Sequence, residues 1–282
     1  MVLKGFTRYS RYRPPVLLSR TTRINSATAR CVSLVAAHTE RKGVTVKRTA
    51  VWLAAASSGL VICLGGLASA QRPDNTPPPG FTALFNGKDL TGWQALLELP
   101  GLKSGAGLDP AEPLKLAPAE RAAKQREADA KYLPHWTVRD GVLHYDGKGQ
   151  NLRSVKDYGD IELFVDWRIP AEGDTGTYLR GTPQIQIWER PGVGSGGLFN
   201  NEKGASDPLK EADRPVGEWN TFRILNEGDV VTVWLNGELV VDKVVYENYW
   251  DRSKPLPETG PIELQHHGNP IAFKNIYVKE LE

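Results

Sequence analysis

Apolar and polar residues alternate along the chain from about residue 136 onward, which is the pattern of β-strands with one buried face. The clearest example is DIELFVDWRIP at residues 160–170. Its apolar positions recur at every second residue, and most of the positions between them are polar. The segment therefore predicts a strand whose core-facing side is formed by Ile161, Leu163, Val165, Trp167 and Ile169.

Short turn sequences separate these alternating segments. Asp-Gly at residues 140–141 and Asn-Gly at residues 236–237 are typical hairpin turns, and Glu-Gly-Asp at residues 227–229 predicts another turn. Many short strands joined by close turns, without regular alternation of helices and strands, indicate an all-β sandwich or barrel. We expect one such domain over residues 80–282.

One stretch departs from this pattern. Residues 97–134 contain APAERAAKQREADAKYL, which is rich in Ala, Glu, Lys and Arg and is flanked by Pro and Gly. That composition predicts an exposed helix, inserted between two β elements. Ahead of the domain, residues 71–79 predict a Pro-rich spacer, because proline cannot pair in a central strand.

The N-terminal residues have a different character. Residues 46–70 contain a basic pair, an apolar run and the small-residue ending Ala-Ser-Ala, the layout of a secretory signal peptide. We expect cleavage before Gln71, a periplasmic or extracellular location and no membrane span in the mature form. An uncleaved membrane anchor is the alternative. Residues 1–45 are interpreted as a disordered extension or as a mis-assigned start, with the true start near residues 44–46.

The charge balance changes once this leader is set aside. The whole chain has 35 basic and 33 acidic residues, but residues 1–70 hold 11 of the basic ones and a single acid, Glu40. The remainder has a formal charge of about −8, which argues against a nucleic-acid partner because such proteins carry a basic patch. Both cysteines, Cys31 and Cys63, also lie in the leader, so the mature chain has no disulfide and no thiol nucleophile.

Familiar catalytic motifs are missing from the sequence. There is no HExxH or EF-hand pattern for a metal and no GxSxG for a nucleophilic serine. Glu162 and Asp166 share a strand face but lie about 13 Å apart along the strand, which is poor spacing for the carboxylate pair of a glycosidase. A single His with carboxylates from other strands is a candidate site for a divalent cation.

Amide, aromatic and cationic side chains recur on single strand faces. Alternation places together Tyr178 with Arg180, Gln184 with Gln186 and Trp188, and Gln265 with His267. Such groups are costly to bury unless they form hydrogen bonds. A polyhydroxylated sugar ring, packed on Trp188, would satisfy them. The alternatives are a strand face held by its own side-chain hydrogen bonds or a solvated outer face.

Four sequence blocks in order give a resemblance to a known bacterial family. They are FTALFNGKDLTGW at 81–93, DYGDIELFVDWRI at 157–169, GDTGTYLRGTPQIQIWE at 173–189 and GPIELQHHGNPIAFKNIYVKEL at 260–281. With this spacing, the chain resembles the 3-keto-disaccharide hydrolase domain family. The resemblance implies a concanavalin-A-like jelly-roll sandwich of two antiparallel sheets, exported and acting on 3-keto-glycosides.

The resemblance also implies site residues. It assigns the family's arginine to Arg180, its Glu-x-Gln-x-x-Asp strand to Gln184, Gln186 and Glu189, and its Leu-Gln-x-His-Gly block to Gln265 and His267. His267 would be the base or a metal ligand, Arg180 the stabiliser of an enolate, and Glu189 or Asp166 a further acid or cation ligand. Gln184 stands where the family commonly has a carboxylate. The substrate would contact Tyr178, Gln184, Gln186, Trp188, Gln265 and Asp166.

The reaction expected from the resemblance needs no spaced carboxylate pair. A ketone at C3 acidifies the C2 proton, a base removes it, and the C1 substituent leaves, with or without addition of water. The protein is therefore expected to be a hydrolase or lyase with a carbohydrate substrate, with a divalent cation as a candidate cofactor. The alternatives are a non-catalytic, lectin-like carbohydrate-binding module and a cell-surface interaction domain.

Overall fold

The computed structural model describes residues 72–99 and 107–282 and confirms the predicted all-β sandwich of two antiparallel sheets. The strands are β1 Thr82–Ala83, β2 Trp93–Ala95, β3 Trp136–Arg139, β4 Val142–Tyr145, β5 Leu152–Ser154, β6 Ile161–Arg168, β7 Asp174–Leu179, β8 Gln184–Trp188, β9 Leu198–Phe199, β10 Asn220–Glu227, β11 Val230–Leu235, β12 Glu238–Val245, β13 Ile262–Leu264 and β14 Ile271–Glu280. The helix α1 spans Pro118–Tyr132, and short 3-10 turns span Pro113–Lys115 and Leu133–His135.

The first sheet has the order β12-β11-β10-β6-β14-β4-β3, with β1 added beside β14. Its central strand β6 alternates as predicted, since Ile161, Leu163, Val165 and Trp167 are all buried in the core. Burying an apolar side chain of this size contributes about 1.5–3 kcal/mol, so the alternation fixes which face turns inward.

The second sheet has the order β2-β5-β13-β7-β8-β9. Its inner face adds Ile185 and Ile187 from β8 and Ile262 and Leu264 from β13 to the same core cluster. The two sheets therefore share one apolar interior. The residues that alternate with these four lie on the outer face of the second sheet, and that face is polar.

The predicted hairpin turns are confirmed. Asp140 and Gly141, between β3 and β4, both have positive φ angles of 52° and 75°. Asn236 and Gly237, between β11 and β12, have φ angles of 53° and 87°. Two consecutive positive φ angles match the twist of antiparallel strands, and Asn, Asp and Gly adopt them most readily.

The helix α1 lies within residues 97–134, where the sequence predicts one. It attaches to strand β2: Gln125 Nε2 donates to the Ala95 carbonyl at 2.8 Å, and the Ala95 N–H donates to Asp129 Oδ1 at 2.8 Å. Ala128 and Tyr132 pack against Ala95. These contacts bind the helix to one end of the second sheet.

The predicted signal peptide at residues 46–70 and the extension at residues 1–45 lie outside the described residues. Most of the predicted spacer at residues 71–79 is described and precedes β1. Over residues 72–99 and 107–282, none of the helices has the length and apolar character needed to cross a membrane.

Candidate functional site

Strand pairing lines up a row of side chains across the outer face of the second sheet. Residues paired directly across neighbouring strands point to the same face. From β2 to β9, the register joins in turn Gln94, Arg153, Glu263, Tyr178, Gln184 and Phe199. A second row, one pleat further along the strands, contains Gln265, Gly176 and Gln186. The polar face thus draws on every strand of this sheet.

A hydrogen-bonded amide cluster occupies the middle of this face. Gln184 Nε2 donates to Gln186 Oε1 at 2.7 Å and to Gln265 Oε1 at 2.9 Å. Tyr178 completes the cluster, because its hydroxyl donates to Gln184 Oε1 at 2.9 Å and accepts from Gln265 Nε2 at 3.1 Å. The structure therefore brings these four predicted residues together, and all four are buried.

His267 lies at the edge of the amide cluster, beside Asp174. Its Nδ1 atom is 3.6 Å from Asp174 Oδ2, and half of the His267 side chain is exposed. Asp174 is itself oriented by Gln186, whose Nε2 donates to Asp174 Oδ1 at 2.7 Å. The 3.6 Å between His267 Nδ1 and Asp174 Oδ2 is longer than a hydrogen bond, and it places the Nδ1 side of the ring toward the carboxylate, with the other ring nitrogen as the candidate base.

The neighbouring His266 points to the opposite side, as the alternation predicts. Its Nδ1 lies 2.5 Å from the hydroxyl of Tyr145, a residue of the core. Burial, and then the nearby His267, lower the pKa of His266, so this imidazole is held neutral. The pair therefore divides into one structural and one accessible histidine.

The Tyr178 hydroxyl is a fixed donor. Burial raises the pKa of the Tyr178 phenol far above its usual range, so the hydroxyl keeps its proton at physiological pH. A buried neutral donor is the kind of group that stabilises negative charge developing on a bound oxygen.

Glu263 lies next to Tyr178 in the row and is completely buried. Its Oε2 accepts a hydrogen bond from Asn151 Nδ2 at 3.1 Å, and its Oε1 has no hydrogen-bond partner among the described residues. Burial raises the pKa of Glu263, and the positive charge of Arg153 offsets part of that rise. The place of Glu263 on this face could have been predicted from the sequence, because Glu263 alternates with Gln265 and His267.

Aromatic side chains border the cluster. Phe199, paired with Gln184, is 38% exposed and meets Trp188 edge-to-face with 6.1 Å between ring centroids. Trp188 shares the face with the glutamines, as predicted, and its Nε1 donates to the Gly194 carbonyl at 2.7 Å. An exposed aromatic ring beside amide groups is a combination that binds sugars, since it offers both a stacking surface and hydrogen bonds.

Arg180 does not join this face, which corrects the prediction that it points the same way as Tyr178. It follows the end of β7 with a φ angle of 53°, so strand alternation no longer applies. Its guanidinium pairs with Asp160 and donates to the carbonyls of Gly159 at 3.1 Å and Gly228 at 3.3 Å. These contacts tie the turn after β7 to the first sheet.

Asp166 and Glu189 also lie apart from the amide cluster. Asp166 is on the outer face of the first sheet, where Thr221 and Asn275 donate to its two oxygens. Glu189 follows the end of β8 and accepts a hydrogen bond from the Glu172 N–H at 2.5 Å. Neither of these two predicted carboxylates therefore belongs to the amide cluster. The carboxylate beside His267 is that of Asp174.

Asp174 could have been found from the sequence, because it alternates with Gly176 and Tyr178 along β7. Phe199 could not, because its place in the row depends on the pairing of β8 with β9. Within the described residues, no three His, Cys, Asp or Glu side chains group as a metal-ligand set. The two candidate metal ligands, His267 and Glu189, contact different residues.

The chain is similar to several known proteins. A 3-keto-disaccharide hydrolase of Bacteroides thetaiotaomicron is 22% identical over 260 residues, which cover 72% of this chain and 79% of the relative. Two crystal structures of candidate glycosyl hydrolases from Parabacteroides distasonis share the fold. The first, at 1.70 Å resolution, has a TM-score of 0.52 and 23% identity over 74% of this chain and 100% of its own. The second, at 2.13 Å resolution, has a TM-score of 0.50 and 24% identity over 72% of this chain and 85% of its own.

The family comparison covers most of the chain. Residues 80–279 match the family described as the 3-keto-alpha-glucoside-1,2-lyase-like domain, and this range contains the whole amide cluster and both sheets except the last residue of β14. The four sequence blocks that carried the resemblance to 3-keto-disaccharide hydrolases lie almost entirely within it. The chain therefore belongs to the 3-keto-alpha-glucoside-1,2-lyase-like domain family.

Proposed function

We propose that this protein is an enzyme that cleaves 3-keto-glycosides at C1, with His267 as the base. The observation that carries the proposal is the pairing of His267 with Asp174 beside the buried amide cluster. The name of the Bacteroides relative, a 3-keto-disaccharide hydrolase, supports the same substrate class.

The reaction requires one base and one stabiliser of negative charge. His267 removes the proton at C2, which the neighbouring C3 ketone makes acidic, and the C2–H electron pair forms an enolate with its charge on the C3 oxygen. When the enolate collapses, a C1–C2 double bond forms and the C1–O bond breaks. The leaving oxygen takes up a proton. Addition of water across the new double bond then gives the hydrolysis product, whereas release before that step gives the lyase product.

Neutral donors of the cluster stabilise the enolate in this proposal. The Tyr178 hydroxyl and the Gln265 amide both lie on the face that His267 borders. Their existing hydrogen bonds would be exchanged for bonds to the substrate, so binding costs little desolvation beyond that already spent on burial. Arg180 has no part in this mechanism because its guanidinium is bound at the turn after β7.

The test is turnover of a 3-keto-disaccharide such as 3-keto-trehalose, measured as released sugar. His267→Gln and Asp174→Asn are expected to lower kcat by about 100-fold, the range typical of general base catalysis, while substrate binding is kept. The matched control is His135→Gln. His135 also forms a His–Asp pair, with Nδ1 2.9 Å from Asp146 Oδ2, but it lies outside this face.

Isotope exchange tests the proposed step directly. In D2O, the wild-type protein is expected to introduce deuterium at C2 of recovered substrate or product, and His267→Gln is expected to abolish it. Trapping the C1–C2 unsaturated product would distinguish lyase from hydrolase. Binding without turnover or exchange for any 3-keto-glycoside would overturn the enzyme proposal and favour a lectin-like module.

Export is a separate part of the proposal. It is supported by the signal-peptide pattern at residues 46–70. We expect mass spectrometry of the exported protein to find an N-terminus at Gln71. Recovery of a peptide from residues 1–43 in the mature protein would contradict the proposed start site and cleavage.

A further inference from the structure

A groove of about 560 Å³ lies on the outer face of the first sheet. Four residues on adjacent strands form its central row, because the register of β3, β4, β14 and β6 aligns Thr137, His144, Ala272 and Arg168. Their neighbours along each strand face the core, so this row points outward. The groove therefore belongs to the face of the sandwich opposite the amide cluster.

Ala272 opens a notch in the middle of the row. Neighbouring strands are about 4.8 Å apart, so the Cα atoms of His144 and Arg168 are separated by about 10 Å. Only the methyl group of Ala272 stands between them. Two long side chains on either side of a small residue can reach a common ligand between them.

Two arginines and one carboxylate line the groove, so its lining has an excess of positive charge. Arg139 and Arg168 both line it, and neither has an ion pair among the described residues. The acid that lines it, Asp146, is paired with His135 at 2.9 Å. Strands β4 and β14 separate Arg139 on β3 from Arg168 on β6, so an anion bound between the two arginines would be attracted from both sides.

The pKa of His144 reflects the same excess of positive charge. Burial first, and then the positive charges of Arg139 and Arg168, lower the pKa of His144, against a weaker opposing effect of Asp140. These groups and Asp146 are the charged residues that face it. An anion bound between the two arginines would therefore favour the protonated imidazole.

Two Arg–Trp stacks lie on this sheet, and they differ in whether the arginine has a carboxylate partner. The Arg168 guanidinium lies 4.8 Å from the ring centroid of Trp219, and that of Arg223 lies 4.4 Å from Trp234. Arg223 has a carboxylate partner, Glu162, at 2.6 Å. Arg168 stacks on a tryptophan in the same way but has no carboxylate partner among the described residues. It lies beside the notch at Ala272, in a groove that Arg139 and His144 also line.

We propose that this groove binds a tetrahedral oxyanion, a sulfate or phosphate group, between Arg168, Arg139 and His144. The arginines supply charge-assisted hydrogen bonds to its oxygens, and His144 supplies a third donor when protonated. Sulfate and phosphate esters on polysaccharides carry the same chemistry as the free ions. The proposal is independent of the reaction proposed for the opposite face.

Binding is tested by isothermal titration calorimetry of the protein with inorganic sulfate, inorganic phosphate and a sulfated polysaccharide, at fixed ionic strength. Saturable binding of any of them is expected. Arg168→Gln and Arg139→Gln should each weaken it by about tenfold or more, the loss expected for a charge-assisted hydrogen bond. Arg223→Gln is the matched control, since it removes a stacked arginine from the same sheet.

The source of the anion follows from the same titrations. Affinities are compared per sulfate group. Tighter binding of the sulfated polysaccharide than of inorganic sulfate would identify a polymer ligand, and equal affinity would identify the free ion. Either result supports the groove. An Arg223→Gln variant that weakens binding as much as Arg168→Gln would overturn the proposal, because binding would then follow net charge alone.

Nuclear magnetic resonance of His144 gives a readout that needs no substitution in the groove. The imidazole resonances of His144 are expected to titrate at higher pH when the anion is added, because bound negative charge favours protonation. The resonances of His267, which lies at the opposite face of the sandwich beside Asp174, should be unaffected. An unchanged His144 titration at saturating anion, or no saturable binding, would overturn the proposal.

Discussion

Gln184 and Gln265 share a hydrogen bond of 2.9 Å although 81 positions separate them in the sequence. The two side chains meet across Gly176, which lies between their strands in the second sheet. A Cβ atom at Gly176 would lie 2.7 Å from both Cγ and Nε2 of Gln184 and 2.9 Å from the Ile185 carbonyl oxygen. Gly176 is therefore required for space, and the amide cluster depends on it.

Replacing this glycine tests that dependence. Gly176→Ala is expected to lower the free energy of unfolding by about 1–3 kcal/mol, because the added methyl overpacks a buried face and displaces Gln184. The measurement is urea unfolding followed by tryptophan fluorescence. The variant should also bind a 3-keto-disaccharide more weakly.

Gly107→Ala is the control. A Cβ atom there would lie 3.4 Å from the rings of Tyr178 and Trp250, an ordinary contact. It is therefore expected to change the unfolding free energy by less than about 1 kcal/mol. Equal losses from both substitutions would show that the amide cluster does not depend on the space at Gly176.

Strand faces could be predicted from the sequence because alternation is a local property. The inward residues of β6 and the shared face of Gln184, Gln186 and Trp188 follow from side-chain periodicity alone. The turns follow similarly, since Asn-Gly and Asp-Gly favour the positive φ angles found there. These features set the two-sheet architecture and the polar character of one face.

Alternation fails where a strand ends, and it does not show which strands are neighbours. Arg180 lies one residue beyond β7 in a left-handed conformation, so its side chain leaves the face of Tyr178. Asp166 obeys the alternation but belongs to the other sheet. Phe199 reaches the site only through pairing of β8 with β9. Long-range pairing of this kind is not encoded in local periodicity.

The buried carboxyl of Glu263 should make stability depend on pH. Burial raises the pKa of Glu263 in the folded protein above its value in the unfolded chain, so the folded state holds the proton more tightly. The stability that this contributes is fully present below the unfolded pKa of about 4.3, and it is lost as pH rises through the folded pKa.

Glu263→Gln removes this dependence because an amide cannot ionise. The difference in unfolding free energy between wild type and Glu263→Gln is expected to shift in favour of the variant as pH rises from 4.5 toward 9. Denaturant unfolding at several pH values measures it. Glu120→Gln on the exposed side of α1 controls for the change in net charge. A difference that stays constant with pH would show that Glu263 titrates normally.

Phe199 is expected to act through substrate binding. Removing its ring with Phe199→Ala should raise KM for a 3-keto-disaccharide by about threefold to tenfold and leave kcat little changed, since an aromatic contact is worth about 0.5–1.5 kcal/mol. Phe199→Trp should keep the affinity. Steady-state kinetics measure both effects.

Leu209→Ala provides the comparison for that experiment. Leu209 is a large apolar side chain that is 66% exposed, whereas Phe199 is 38% exposed on the polar row. Its removal should leave KM unchanged. If Phe199→Ala also left KM unchanged, the exposed ring would have no role in holding the substrate.

Arg180 should be needed for stability rather than for turnover. Its side chain is 6% exposed, and it joins the turn after β7 to Asp160 and to the carbonyls of Gly159 and Gly228. Arg180→Gln removes a charge-assisted contact and leaves buried acceptors unpaired, so the unfolding free energy should fall by about 1.5–3 kcal/mol. The loss should stay at this level because Asp160 is 45% exposed and water can solvate it.

Kinetics separate this structural role from the catalytic role that the family resemblance implied for Arg180. Below the unfolding transition, kcat per folded molecule of Arg180→Gln should equal that of the wild type, because the guanidinium contacts none of the amide cluster. Arg180→Lys should recover part of the stability, since it restores the charge without the two carbonyl contacts. A large loss of kcat with unchanged stability would instead show that Arg180 stabilises the enolate. Tyr178 and Gln265 would then not be the principal stabilisers of the enolate.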